Sequence, residues 1–193
     1  MHRPIRRLAF AVVALAAGIA HAAAAGLDEG MAAFERQDYS TSLTLLKPLA
    51  EAGEADAQFR VAQMLRYGWG TRADAVAAGV WMRRAAEAGL RDAQAELGRM
   101  LRDGSGMDAN PVEALAWLTR AAERGSGVAQ LNLGRMYRNG VGTDRDRVQA
   151  YKWFTLAARN GFIDGIANRN AMAESMTPQE IEAGERLVKE AAN

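Results

Sequence analysis

From Leu27 onward, the chain alternates between stretches with apolar residues three and four apart and interruptions centred on glycine. Between Ala93 and Arg102 the residues Ala93, Leu97, Met100 and Leu101 fall on one side of a 3.6-residue period. Between Val112 and Arg124, Ala114, Trp117, Leu118 and Ala121 do the same. Each stretch predicts an amphipathic helix. The pair is joined by a loop that opens at Gly104, where a helix needs a left-handed stop, and closes at Asn110-Pro111-Val112-Glu113. That closing run reads as an N-cap, a proline at the first helical position and a capping-box acid.

The helix pair recurs with a fixed spacing of 36 residues. Gly53, Gly89, Gly125 and Gly161 keep it, as do Trp81, Trp117 and Trp153, Met64, Met100 and Met136, and Gln58, Gln94 and Gln130. Ala85-Ala86 recurs at Ala121-Ala122 and Ala157-Ala158, and the loop pair Gly68/Gly70 at Gly104/Gly106 and Gly140/Gly142. Asp74 and Asp146 stand where Asn110 does, and Gln149 where Glu113 does. A helix-turn-helix unit of this length cannot bury its apolar face alone, so neighbouring units must stack. The expected fold is therefore all-α, a right-handed solenoid of about ten helices with essentially no strand. Three units are expected at 53–88, 89–124 and 125–160. A capping pair over 23–52 should turn at Gln37-Asp38, with Pro48 bending its second helix by removing a backbone donor. A degenerate unit with a closing helix should occupy 161–193, introduced by the capping box Thr177-Pro178-Gln179-Glu180.

The first residues have another character. Arg3, Arg6 and Arg7 precede an uncharged apolar run from Leu8 to Ala20 and an Ala-x-Ala site ending at Ala22, the pattern of a secretory signal peptide over 1–22. That run is shorter than the roughly 20 residues needed to span a bilayer core, so export to the periplasm without membrane insertion is expected, with secretion beyond the cell as the alternative. Its removal leaves 21 basic residues against 23 acidic ones, which gives no field for nucleic acid. It also removes both histidines, His2 and His21, from a chain that has no cysteine. Imidazole- and thiol-dependent nucleophiles and the usual zinc ligand sets then have no residues to use. No cofactor, metal or enzyme activity is expected.

The columns Ala129-Gln130, Leu133-Gly134-x-Met136-Tyr137, Gly140-Val141-Gly142, Ala150, Trp153 and Ala157-Ala158-x-x-Gly161 resemble the Sel-one-like repeat, a relative of the tetratricopeptide repeat. The resemblance covers about 53–161. It implies an adaptor or regulator that binds a protein on the concave side lined by the first helices of the units. A structural subunit of an envelope assembly is the alternative, and a carboxylate-dependent enzyme acting on cell-wall glycan a more distant one.

The recurring tryptophans are expected in the core, and the glycines in turns. Charged columns carry more information, because stacking does not require them. Arg66, Arg102 and Arg138 recur at the period, and Arg99 and Arg135 lie one turn before two of them. On the first helices they would form a ladder suited to an acidic or extended segment. The bland alternative is pairing with neighbours such as Glu96 and Asp103. Trp69 stands where other units have Ser105 and Val141. It is a candidate anchor for a partner, or folds back on its own unit.

Overall fold

The structure, a computed structural model, describes residues 24–191. The expected leader and its cleavage site lie outside them. Ten helices and no strand are present among the described residues: α1 (24–35), α2 (Tyr39–Glu51), α3 (Ala55–Tyr67), α4 (Ala75–Glu87), α5 (Arg91–Asp103), α6 (Pro111–Glu123), α7 (Gly127–Asn139), α8 (Arg147–Arg159), α9 (Ile163–Ala173) and α10 (Pro178–Glu190). They form two compact units, the first ending at Asp74 and the second beginning at Ala75.

In the first unit α1 and α2 are joined at Gln37, whose φ of 62° makes the sharp turn, and Asp38 caps α2 by accepting from the Thr41 backbone N–H. The helix runs through Pro48 and ends at Glu51, one turn later. Ser42 is buried, and its hydroxyl donates to the Gly30 carbonyl of α1 at 2.9 Å. Gln58, on α3, donates to the Ala50 carbonyl at the end of α2 at 3.1 Å.

The second unit shows why the columns exist. Each first helix stops at a left-handed glycine, Gly104 or Gly140, whose N–H bonds the carbonyl of Met100 or Met136. The next glycine of the loop, Gly106 or Gly142, presses on the start of the preceding second helix. A Cβ on Gly106 would lie 2.1 Å from the Ala75 carbonyl oxygen, and one on Gly142 2.3 Å from that of Pro111. Gly98 and Gly134 let the two helices of a pair approach in the same way, since a Cβ there would meet Leu118 or Phe154 at 2.6 and 2.5 Å.

In the second unit the glutamines of the column are polar, buried and paired, whereas the Gln58 amide oxygen of the first unit is buried with no hydrogen-bond partner among the described residues. Gln94 and Gln130 donate to the carbonyls of Ala86 and Ala122 in the preceding helix, at 3.2 and 3.1 Å. Their amide oxygens accept from Arg124 and Asn160 at 3.2 and 2.8 Å. Buried amides with every group paired fix register where an unpaired one would cost about 1–3 kcal/mol. Trp117 and Trp153 are buried, as expected of a packing column, while Trp81 is half-buried with the Arg84 guanidinium 4.6 Å above its ring.

The stack ends at α9 for a reason visible in its residues. Leu97-Gly98 and Leu133-Gly134 are replaced one period on by Arg169-Asn170, which offer neither an apolar seat nor room for a close helix. The last helix, α10, packs on α8 instead. Gly184 of α10 lies against the Tyr151 ring, the Tyr151 hydroxyl donates to Glu185 at 2.8 Å, and Ile181 packs on a cluster containing Tyr151, Phe154, Met172 and Met176.

Candidate functional site

The candidate arginines of the second unit, Arg99, Arg102, Arg135 and Arg138, lie on the first helices α5 and α7, and most of them are engaged. Arg99 donates to Glu96 at 2.7 Å and to Asp103 at 3.2 Å, so two carboxylates compensate its charge. Arg102 donates to the same Asp103 at 2.8 Å and, with its other arm, to the Asn132 amide oxygen on α7 at 2.5 Å. The Asp103 carboxyl is held below its usual range, chiefly by the Arg102 hydrogen bond and against the opposing effect of burial. Arg135 reaches Asp164 of α9 at 3.0 Å, but both side chains are open to water, Asp164 with 65% of its surface.

Arg138 differs. It donates to Asn139 at 3.2 Å and to Asn168 of α9 at 2.6 Å, and its guanidinium lies 5.7 Å from the centre of the Phe154 ring. Every one of these partners is neutral, and the residue is exposed. The Arg102–Asn132 and Arg138–Asn168 bonds repeat at the period. Part of the column thus serves to staple one first helix to the next, Asn132 and Asn168 being held in turn through their own Nδ2 groups by the carbonyls of Val128 and Asp164.

In the first unit Arg66 lies with its guanidinium 5.1 Å from the Tyr67 ring centre. Trp69 folds back on its own unit. It stacks on Tyr39 at 5.1 Å and on Tyr67 at 4.7 Å and meets Phe34 edge-on at 5.8 Å. With rings on both of its faces it is the centre of an aromatic cluster, and Tyr67 is the exposed member. Gly70 makes the fold-back possible, since a Cβ there would lie 2.5 Å from the Tyr39 carbonyl carbon.

Periodicity in sequence misses a polar junction on the second helices. Arg83 of α4 donates to Glu113 of α6 at 2.5 Å, and Trp117 Nε1 donates to the same carboxylate at 3.1 Å. The Arg83 hydrogen bond is the main cause that holds the Glu113 carboxyl below the usual glutamate value, opposed by burial. Asn110 caps α6 by accepting from the Glu113 N–H. The Glu113 carboxylate, drawn toward Arg83, accepts from the Asn110 side-chain amide rather than from its backbone. One unit later Thr119 and Gln149 replace Arg83 and Glu113, and Trp153 Nε1 is buried without a partner. No group of three or more metal-ligating side chains forms among the described residues.

Three copies of the Sel1 repeat are matched by the family's profile, at residues 55–90, 91–126 and 127–162. The chain belongs to the Sel1 repeat family. Among solved structures it is similar to a protective antigen of uropathogenic Escherichia coli strains displaying an SLR fold. The two are 32% identical, with a TM-score of 0.73, over 78% of this chain and 32% of the antigen. It is also similar to a Sel1 repeat protein from Oxalobacter formigenes, 28% identical with a TM-score of 0.70, over 74% of this chain and 59% of that one. The Sel1 repeat chain thus spans about a third of the antigen's length and three fifths of the other. No curated protein matches it. The all-α helical-repeat fold is the one expected from the spacing.

Proposed function

We propose that this Sel1 repeat chain is an exported, periplasmic protein-binding scaffold that grips an acidic, extended segment of a partner on the first-helix face of its second unit. The observation that carries this reading is the unequal compensation of the arginines. Arg99 is paired with two carboxylates, whereas Arg138 is exposed and bound only to neutral groups, one helical turn from Arg135. The Arg135–Asp164 pair is exposed, and such pairs contribute about 0–1 kcal/mol, so a partner's carboxylate can replace Asp164 at little cost. Arginine forks then present two to three charge-assisted donors to a carboxylate. Export is supported by the basic, apolar and small-residue pattern of residues 1–22. No reaction is assigned, in keeping with a sequence that places both of its histidines in that segment.

A labelled glutamate-rich peptide titrated into the purified chain tests the reading. Saturable binding that weakens steeply with salt is expected, with a loss of ~tenfold in Arg138→Glu and a much smaller one in Arg99→Glu. Absence of binding at low salt, or equal losses in the two variants, would overturn it.

A further inference from the structure

The two first helices α5 and α7 end on runs that differ by a single amide. Arg102-Asp103-Gly104 ends α5 and Arg138-Asn139-Gly140 ends α7, each glycine being the left-handed stop. Arg102 binds the Asp103 carboxylate with two donors, Nε to Oδ1 at 2.8 Å and Nη2 to Oδ2 at 3.1 Å. Arg138 reaches Asn139 with Nε alone, to the amide oxygen at 3.2 Å. Asn139 is exposed, and its amide nitrogen donates to no group among the described residues.

An asparagine side chain is most open to attack by the next backbone nitrogen when glycine follows, since glycine has no Cβ to obstruct the approach and tolerates the backbone angles required. We propose that Asn139 is a site of spontaneous deamidation, and that the carboxylate formed there pairs with Arg138 as Asp103 pairs with Arg102. The Gly140 nitrogen bonds to Asn139 Cγ, the Cγ–Nδ2 bond breaks, and the amide nitrogen leaves as ammonia with the hydrogen that the Gly140 nitrogen gives up. Water then opens the five-membered imide at one of its two C–N bonds. The product is aspartate or isoaspartate, the Gly140 nitrogen regains a hydrogen, and the new acid loses its proton to solvent. The Arg138 Nε–H on the amide oxygen favours the first step, because it stabilises the negative charge that oxygen takes on during attack. Asn160-Gly161 is the internal comparison: it too follows an arginine and is exposed. Both attacking nitrogens are held at a helix end, Gly140 by the Met136 carbonyl and Gly161 by the Ala158 carbonyl, so in both the last turn must open. Asn160 Nδ2, however, is itself held by Gln130 Oε1 at 2.8 Å and by the Gly125 carbonyl at 3.5 Å. Asn139 therefore converts first. The consequence for binding rests on the acidic partner proposed above: deamidation gives Arg138 an internal carboxylate and lowers the affinity of the face as the protein ages.

The purified chain is aged in mildly alkaline buffer, and the acid form at each site is followed by peptide mass spectrometry. Asn139 is expected to convert at least ~tenfold faster than Asn160. No conversion at Asn139, or Asn160 converting first, would overturn the proposal. The pairing is read on Asn139→Asp with no partner present: the NMR signal of the Arg138 Nε–H proton is expected to move to lower field, toward that of Arg102, as a charge-assisted bond replaces a neutral one. An unmoved signal would overturn the pairing. In the glutamate-rich peptide titration Asn139→Asp should lose ~fivefold in affinity, less than Arg138→Glu loses. Unchanged affinity in Asn139→Asp beside a weakened Arg138→Glu would overturn the effect on binding. Should the native chain bind no acidic peptide, the proposed partner fails, while the ageing and NMR results still decide the deamidation and the pairing.

Discussion

Glu113 concentrates more interactions than any residue singled out by its charge column. It joins α4 to α6 through Arg83, receives the Trp117 indole N–H and takes part in the cap of its own helix. Replacing Glu113 by Gln should destabilise the protein by about 1 kcal/mol at neutral pH, a value reduced for partial exposure. Because the folded state holds this carboxyl below its ordinary value, its contribution is fully present above the unfolded glutamate pKa and is lost as pH falls through the lowered folded one. Urea unfolding of both forms across the acid range should therefore show the gap closing at low pH; a gap that persists there would exclude the ionised pair as its source. One unit on, Gln149→Glu would give the orphaned Trp153 Nε1 the acceptor that Trp117 has and should stabilise by about 0.5–1.5 kcal/mol in the same assay. No gain would mean that the two indoles are not equivalent. The arginine candidates were legible in sequence as a column, and so was the pairing of Arg99 and Arg102 with the neighbouring acids Glu96 and Asp103. The bonds from Arg102 and Arg138 to the next first helix were not, because Asn132 and Asn168 lie about 30 positions away and no local pattern marks them.

At the scale of elements, the paired loop glycines have separable roles. Gly106 combines a φ of 76° with a contact that leaves no room for a Cβ, while Gly125, with a φ of 82°, has nothing within 4 Å of one. Gly125→Ala should cost about 1 kcal/mol from backbone strain alone, and Gly106→Ala about 3 kcal/mol because the loop must also leave α4. Equal losses in thermal or urea unfolding would refute the close approach as the reason for the second glycine. Most of the fold was legible for the same reason that these columns are: helix stops, caps and packing seats recur at one spacing, so the predicted Val112–Arg124 and the observed Pro111–Glu123 differ by a residue at each end. The seat of α10 was not legible. Its capping box and amphipathic pattern announce the helix, and the Thr177–Glu180 box forms as expected. Its packing on α8, however, follows from Arg169-Asn170 closing the face of α9 and from Gly184 meeting Tyr151, two facts that need the neighbouring helices in place.

For the whole molecule, the second unit carries the proposed partner surface, a first-helix face on which Arg138 is bound only to neutral groups. The solenoid repeat supplies its scaffold, since stacking uses the glycine, alanine and tryptophan columns and leaves the surface positions free to differ between units. Trp69, which the sequence offers as a partner anchor or as a residue folded back on its own unit, lies in the aromatic cluster of the first unit. The central claim is that the chain holds a partner protein through Arg135 and Arg138. Residues 23–193 of the native chain and an Arg135→Glu, Arg138→Glu variant of equal helicity would be used as baits in periplasmic extract, with the retained proteins quantified by mass spectrometry. The account predicts a partner retained by the native bait, released by moderate salt and lost from the variant; a partner kept equally by both baits, or none retained at low salt, would contradict it.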